Sequence, residues 1–252
     1  MKKKFLDKLD GVNLSAEFKD KFCDFLDALD CLLVQDDFRC MVLHADVLKD
    51  NFTEGVTPLE LLIIPSEADI NTLEKIHTPI QNAMQAFNLL PVVVSYEELL
   101  LSADAFPVKY LEIKNNYIIL TGEDLIKELY IPPENIRLHC EQELRKFSLK
   151  LRNDFISMYP DEFNLYNALI KYMPELISTI RLFVEFKSGR KFSKISEVLA
   201  YLKEQFGIPY DSINDMISLH KKNSVLNREE IKEIYSKLNT LMNELTRKAD
   251  AE

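Results

Sequence analysis

The side chains most suited to chemistry lie in one stretch of the chain, between two short apolar runs. His44 ends the first run, and three acidic residues, Asp46, Asp50 and Glu54, follow it in a polar segment. Glu60 lies on the second run. Carboxylate oxygens bind hard divalent cations, and the histidine beside them could act as a general base or as a metal ligand. A solvated acidic loop with a locally hydrogen-bonded histidine is the simpler interpretation, and we prefer it.

The elements that must position these residues alternate between helix and strand over the first half of the chain. Apolar residues recur at helical spacing before residue 34, and runs rich in Val, Ile and Leu predict strands on both sides of the polar segment. Ser95 and Glu98 form a capping-box pattern at the start of a short helix. Asn115 and Asn116 predict a hairpin turn between the last two strands. The predicted helices are 14–34, 68–88 and 95–102, and the predicted strands are 38–44, 59–64, 89–95, 107–113 and 117–120.

Beyond Pro132 and Pro133 every apolar pattern has helical spacing. The predicted helices there are 134–158, 162–187, 193–206, 210–220 and 227–248. The acidic excess lies before residue 135, whereas the rest of the chain is close to neutral. We therefore predict an α+β N-terminal domain, residues 1–133, with a small mixed sheet and flanking helices. An all-α helix bundle, residues 134–252, follows it.

Composition excludes several classes of protein. The chain has 252 residues and only five glycines, too few and too scattered for a Walker A loop or a G-x-G-x-x-G fingerprint. A net charge of −10 disfavours general binding to nucleic acid. No apolar run reaches the roughly 18 residues of a membrane span, so no membrane partner is expected. The four cysteines form no C-x-x-C pair, which favours a reducing cytoplasm.

The segment from Val42 to Ile64 resembles a frame of the nucleotidyltransferase superfamily, typified by DNA polymerase beta and by small bacterial and antibiotic-modifying nucleotidyltransferases. In that family a strand runs into Gly-Ser, a loop carries Arg-Gly, and the next strand carries Ser-Asp-x-Asp. The resemblance implies a triphosphate on the Gly-Ser turn, two magnesium ions held by the aspartates, and a third acid from a later strand. The order of the predicted elements also suits this family over most of the chain.

The residues at these positions depart from the family pattern. Proline cannot ligate a metal, so Pro58 removes the first metal-binding acid, and Asp46 brings a negative charge to the implied triphosphate position. The second acid corresponds to Glu60, and Glu112, on the predicted strand 107–113, could supply the third. The degenerate phosphate-loop positions are Ala45, Asp46 and Lys49, with Asp50 beside them, and the candidate metal ligands are Glu60, Glu112 and Asp46.

We therefore expect a nucleotidyltransferase-like protein that has lost the standard reaction and acts by binding a nucleotide or a protein partner. No cofactor is expected, except magnesium if activity is retained. One alternative is an active metal-dependent enzyme with a rearranged carboxylate set, in which Glu60 and Glu112 act with Asp46 or Asp50. Another is a scaffold or oligomerisation protein with no nucleotide role. A homo-oligomer formed through the helical domain also stays open.

Overall fold

The computed structural model describes residues 2–33, 38–48, 52–192, 194–208, 210, 213–214 and 227–250. The chain divides into two compact units, Met1–Pro132 and Pro133–Glu252. The first unit has a small mixed sheet with flanking helices, and the second is helical. The fold class predicted from the sequence is therefore confirmed. Most of the predicted helix 210–220 lies outside the described residues.

The first unit alternates helices and strands along the chain. Its strands are β1 (Phe38–His44), β2 (Leu59–Pro65), β3 (Leu89–Val93) and β4 (Tyr117–Gly122). Its helices are α1 (Lys2–Lys8), α2 (Ala16–Leu33), α3 (Ile70–Phe87), α4 (Tyr96–Leu101), α5 (Pro107–Asn115) and α6 (Leu125–Glu128). A short 3₁₀ turn, Ala45–Leu48, follows β1. The predicted capping box is present at α4, where Ser95 Oγ accepts from the Glu98 amide at 3.1 Å and Glu98 accepts from the Ser95 amide at 2.7 Å.

The sheet has the strand order β3-β2-β1-β4, with β1 antiparallel to both neighbours and β2 parallel to β3. Because side chains alternate between faces along a strand, each face covers its own apolar core. One core joins β1 and β2 to α1, α2 and α3, and contains Met41, Leu43, Leu61 and Ile63. The other joins the same strands to α4, α5 and α6, and contains Cys40, Val42, Leu62 and Ile64.

The prediction of a strand over 107–113 and a hairpin turn at Asn115 and Asn116 is wrong. This segment is helix α5, which begins at Pro107, where the missing proline N–H would have no helical partner in any case. The buried residues Pro107, Tyr110 and Ile113 recur every three residues, which is helical spacing rather than the alternation of a strand. A run rich in Val, Tyr and Ile has strand propensity, but packing of this stripe against the sheet outweighs it.

Gly122 lies in strand β4 at a position that has no room for a side chain. Its φ is +85°, and a Cβ built there would lie 1.9 Å from the carbonyl oxygen of Arg39 on β1. Any side chain would therefore push β4 away from β1 at the edge of the sheet.

The second unit contains long helices with buried apolar stripes. They are α7 (Pro133–Met158), α8 (Glu162–Ser188), α9 (Ile195–Phe206) and α10 (Arg228–Asp250). α7 packs against both α8 and α10. The stripe on α10 that includes Ile231, Leu238 and Met242 is buried, as its helical spacing predicts. Within the described ranges, no helix combines the length and the apolar character needed to cross a bilayer.

Candidate functional site

The candidate site lies where β1 ends and β2 begins. His44 is the last residue of β1, and the strand register pairs it with Glu60 on β2. Both residues lie on the sheet face that packs against α4 and α5, in line with Cys40 and Val42 on β1 and with Leu62 on β2. The face is apolar along most of its length, and this pair makes its end polar.

His44 is a buried and neutral imidazole. Only 2% of the residue is exposed, and burial, with the charge of Lys109 acting in the same direction, lowers the pKa of His44 to about 4. Its Nδ1 lies 3.9 Å from Oε2 of Glu60, which is beyond hydrogen-bond distance. Its Nε2 has no hydrogen-bond partner within the part of the chain that the structure describes. A buried ring nitrogen without a partner costs free energy, which makes this position a candidate for a role other than stability.

The turn after β1 keeps a backbone shape that glycine adopts most easily. Ala45 has a φ of +67°, in the left-handed region where a Cβ costs about 1–2 kcal/mol. This is the position where the resemblance described above implies the glycine of a Gly-Ser turn. Asp46 follows in the 3₁₀ turn, whereas Lys49 and Asp50 lie outside the described residues. The left-handed turn is therefore present although the glycine is absent.

One carboxylate of the acidic loop, that of Glu54, contacts a helix rather than the end of the sheet. Glu54 contacts the start of helix α2, where its carboxylate accepts from the amide of Ser15 and, at 2.9 Å, from the Ser15 hydroxyl. Thr57 Oγ1 accepts from the amide of Thr53 at 3.2 Å. Glu54 is therefore engaged at the start of α2, which favours the solvated loop over a cation site that would include it.

Glu112 does not take the place that the sequence predicted. It lies on an exposed position of helix α5 rather than on a strand beside β2, because residues 107–115 are helical. Among the four strands of the sheet, the only carboxylate is that of Glu60. No group of three or more His, Cys, Asp and Glu side chains able to hold a metal occurs among the described residues. The predicted metal set of Glu60, Glu112 and Asp46 is therefore not assembled there.

A small cavity of about 320 Å³ opens beside the turn. The turn contributes Val47 and Leu48, the segment between α1 and α2 contributes Asn13, and the start of β4 contributes Asn116 and Tyr117. The sequence pattern did not identify this lining, because the segments that form it are distant along the chain. Lys109 was missed for a related reason, since its approach to His44 depends on residues 107–115 being helical.

The chain is similar to a solved structure, whereas protein-family models and curated proteins give no match. Among solved structures, the chain is similar to spectinomycin adenyltransferase from Enterococcus faecialis, solved with ATP and spectinomycin. The two are 11% identical, the match covers 88% of this chain and 98% of that chain, and the TM-score is 0.48.

Proposed function

We propose that this chain is a nucleotidyltransferase-like protein that acts by binding rather than by metal-dependent nucleotidyl transfer. The observation that carries the proposal is that Glu60 is the only carboxylate on the four strands of the sheet. Its neighbour across the β1–β2 pair is the buried, neutral His44 rather than a second acid.

The carboxylate set does not fit the two magnesium ions that the resemblance implies. Two-metal transfer needs several carboxylates that converge on ions about 3.5–4 Å apart, and Mg²⁺ requires near-octahedral oxygen ligands. Pro58 occupies the position of the first acid, immediately before β2. Glu112 lies on the exposed side of α5. The described residues therefore do not supply the ligands of a two-magnesium site.

The turn and the cavity beside it support a binding role. The left-handed turn at Ala45 is retained despite its strain, and strain of this kind persists where the surrounding structure holds it. The adjacent cavity has the size of a small-molecule site, and Asn13 and Asn116 are among its lining residues. Asp46 adds negative charge to the turn, so a nucleotide bound there would be held mainly through its base and sugar.

Calorimetric titration tests the proposal directly. ATP, CTP and GTP are titrated into the full chain in EDTA and, separately, in Mg²⁺ or Mn²⁺. We expect at least one nucleotide to bind with the same affinity in both conditions. If none of the three nucleotides binds, the proposal of a bound nucleotide is wrong. The protein partner is then sought through association assays.

A transfer assay separates binding from catalysis. Radiolabelled nucleotide is incubated with the chain, with Glu60→Gln, and with the triple variant Ala45→Gly, Asp46→Ser, Pro58→Asp, which places the family residues at three of the positions that depart from the pattern. We expect no transfer by the natural chain. Incorporation by the natural chain that Glu60→Gln abolishes would instead establish the active enzyme with a rearranged carboxylate set.

A further inference from the structure

The helical unit has a groove between α7 and α10 that none of its described residues fills. The two helices run antiparallel, since Arg137 donates to the carbonyl of Ala249 at 3.3 Å and Arg152 donates to Asn239 Oδ1 at 3.2 Å. Two cavities, of about 440 Å³ and 370 Å³, lie along this pair and share Arg152. We call this surface the α7–α10 groove; it extends over residues 145–156 of α7 and residues 232–247 of α10.

The residues of the groove have the spacing of a surface that receives another helix. On α7 the positions 145, 149, 152 and 156 alternate steps of four and three residues, and on α10 the positions 232, 236, 239, 243 and 246 do the same. This is the spacing by which one helix presents a continuous seam to a neighbour. From Lys232 to Arg247 the groove is about 22 Å long, because a helix rises about 1.5 Å per residue. A third helix of about four turns would match that length.

Two apolar side chains in the groove are exposed to solvent. Leu149 is 60% exposed and Ile156 is 78% exposed, and they are seven residues apart on α7. Phe155 and Tyr235, whose ring centroids are 5.1 Å apart, form the floor of the apolar cavity beside Ile156. Apolar residues placed on one seam, rather than scattered singly, are typical of a protein interaction surface.

The charges along the groove are mainly positive. Arg145, Arg152 and Arg247 line the larger cavity and Lys232 lines the smaller one, whereas Asp250 is the acidic residue lining the larger. Three of these cations form ion pairs with glutamates on their own helices: Arg145 with Glu141, Arg247 with Glu244, and Lys232 with Glu229.

Arg152, at the centre of the groove, has a different environment. It donates to the neutral amides of Asn239 and Asn243, at 3.2 and 3.4 Å, and no carboxylate partner for it occurs in the described part of the chain. The two asparagines hold the guanidinium where the polar and apolar cavities meet. A guanidinium fixed in this way is suited to a carboxylate from outside the unit, which it can bind through two parallel hydrogen bonds.

We propose that the α7–α10 groove binds an amphipathic helix of a partner protein whose apolar stripe is flanked by aspartate and glutamate. Leu149 and Ile156 receive the apolar stripe, and Arg152 receives a carboxylate near its centre. Charge decides against a second copy of this chain as the occupant, because two grooves facing each other would bring together two Arg152 guanidinium groups that have only neutral asparagine partners.

Selection from a displayed peptide library tests the proposal. A library of random helical peptides of about 18 residues, long enough for the groove, is selected on the full chain. We expect the enriched peptides to carry apolar residues at i, i+3 or i+4, and i+7, flanked by Asp and Glu. Their affinity, measured by fluorescence anisotropy, should fall as salt is raised.

Variants of the chain decide whether those peptides use the groove. Ile156→Asp and Arg152→Glu should each weaken binding by about tenfold or more. Two matched controls in the same unit, Phe163→Asp and Arg190→Glu, should leave the affinity unchanged, because both residues are exposed and neither lines the groove. Unchanged circular dichroism of all four variants establishes that they fold.

Three results would overturn the proposal. One is a selection that yields no binder, or binders without acidic residues. Another is equal loss of binding in the groove variants and in the controls. The third is a dimer of the natural chain in light scattering that Ile156→Asp dissociates, since a second copy would then cover the groove.

Discussion

The two faces of the sheet are built from the same strands but differ in the polarity of the residues at their ends. The face toward α1, α2 and α3 is apolar to its end, where Leu43 and Leu61 are fully buried. The face toward α4 and α5 ends in His44 and Glu60, whose side chains are close but do not hydrogen-bond. Burial on the first face serves stability. The second face carries a buried imidazole whose Nε2 has no partner among the described residues, which points to a role that stability alone does not explain.

The largest expected difference between the faces comes from substitutions at adjacent positions of β1. Leu43→Ala should lower the free energy of unfolding by about 3 kcal/mol, through lost apolar burial and the cavity left behind. His44→Leu should leave stability at pH 8 unchanged or raise it, because it removes a buried polar group whose Nε2 lacks a partner. Denaturant unfolding followed by circular dichroism measures both. A loss for His44→Leu as large as that for Leu43→Ala would mean that the imidazole is a structural residue with a partner that the geometry does not reveal.

The second prediction concerns pH and uses the same pair of variants. The folded-state pKa of His44 is about 4, below the ordinary value of about 6.5, so between these two values the unfolded chain binds a proton that the folded chain does not. The contribution of His44 to the free energy of unfolding is therefore constant above pH 6.5. On acidification it falls by about 1.4 kcal/mol per pH unit, and the total loss is about 3 kcal/mol below pH 4. His44→Leu should remove that component.

The difference in unfolding free energy between His44→Leu and the natural chain is the quantity to follow between pH 7.5 and pH 4. It should stay constant down to about pH 6.5 and then grow in favour of the variant as the pH falls towards 4. Leu43→Ala is the matched control, and its difference from the natural chain should not change with pH. A constant difference for His44→Leu would show that the folded-state pKa is close to its unfolded value.

A smaller effect tests the helix that covers the polar end of the second face. The hydroxyls of Ser102 and Tyr110 are 2.7 Å apart, and they meet because residues 107–115 form α5. Tyr110→Phe and Ser102→Ala should each cost about 1 kcal/mol, and the double variant should cost much less than their sum. Additive losses would indicate that the two hydroxyls do not meet and would favour the strand predicted for 107–113.

The sequence was sufficient for features that depend on neighbours along the chain. Strands β1 and β2, the capping box at Ser95 and the helical second unit all follow from spacing and local propensity. Helix α5 was missed because its Val, Tyr and Ile residues suit a strand, and only packing against the sheet selects the helix. The partnerless Nε2 of His44 and the approach of Lys109 could not be predicted, since both depend on contacts between distant segments.

The smallest expected effect lies in the turn itself, and it links stability to the proposed binding role. Gly122 and Ala45 both have positive φ, but Gly122 has no room for a Cβ, whereas Ala45 carries one at the cost of strain. Ala45→Gly should therefore raise the free energy of unfolding by about 1 kcal/mol or less, because relief of strain is partly offset by the greater freedom of glycine in the unfolded chain.

If the turn binds a nucleotide through its backbone, the same substitution should leave the affinity for the nucleotide unchanged or raise it, and calorimetry measures this affinity. Stabilisation combined with a loss of affinity would mean that the Ala45 side chain itself contacts the ligand, and the turn would then be a binding surface of a different kind from the phosphate loop that it resembles.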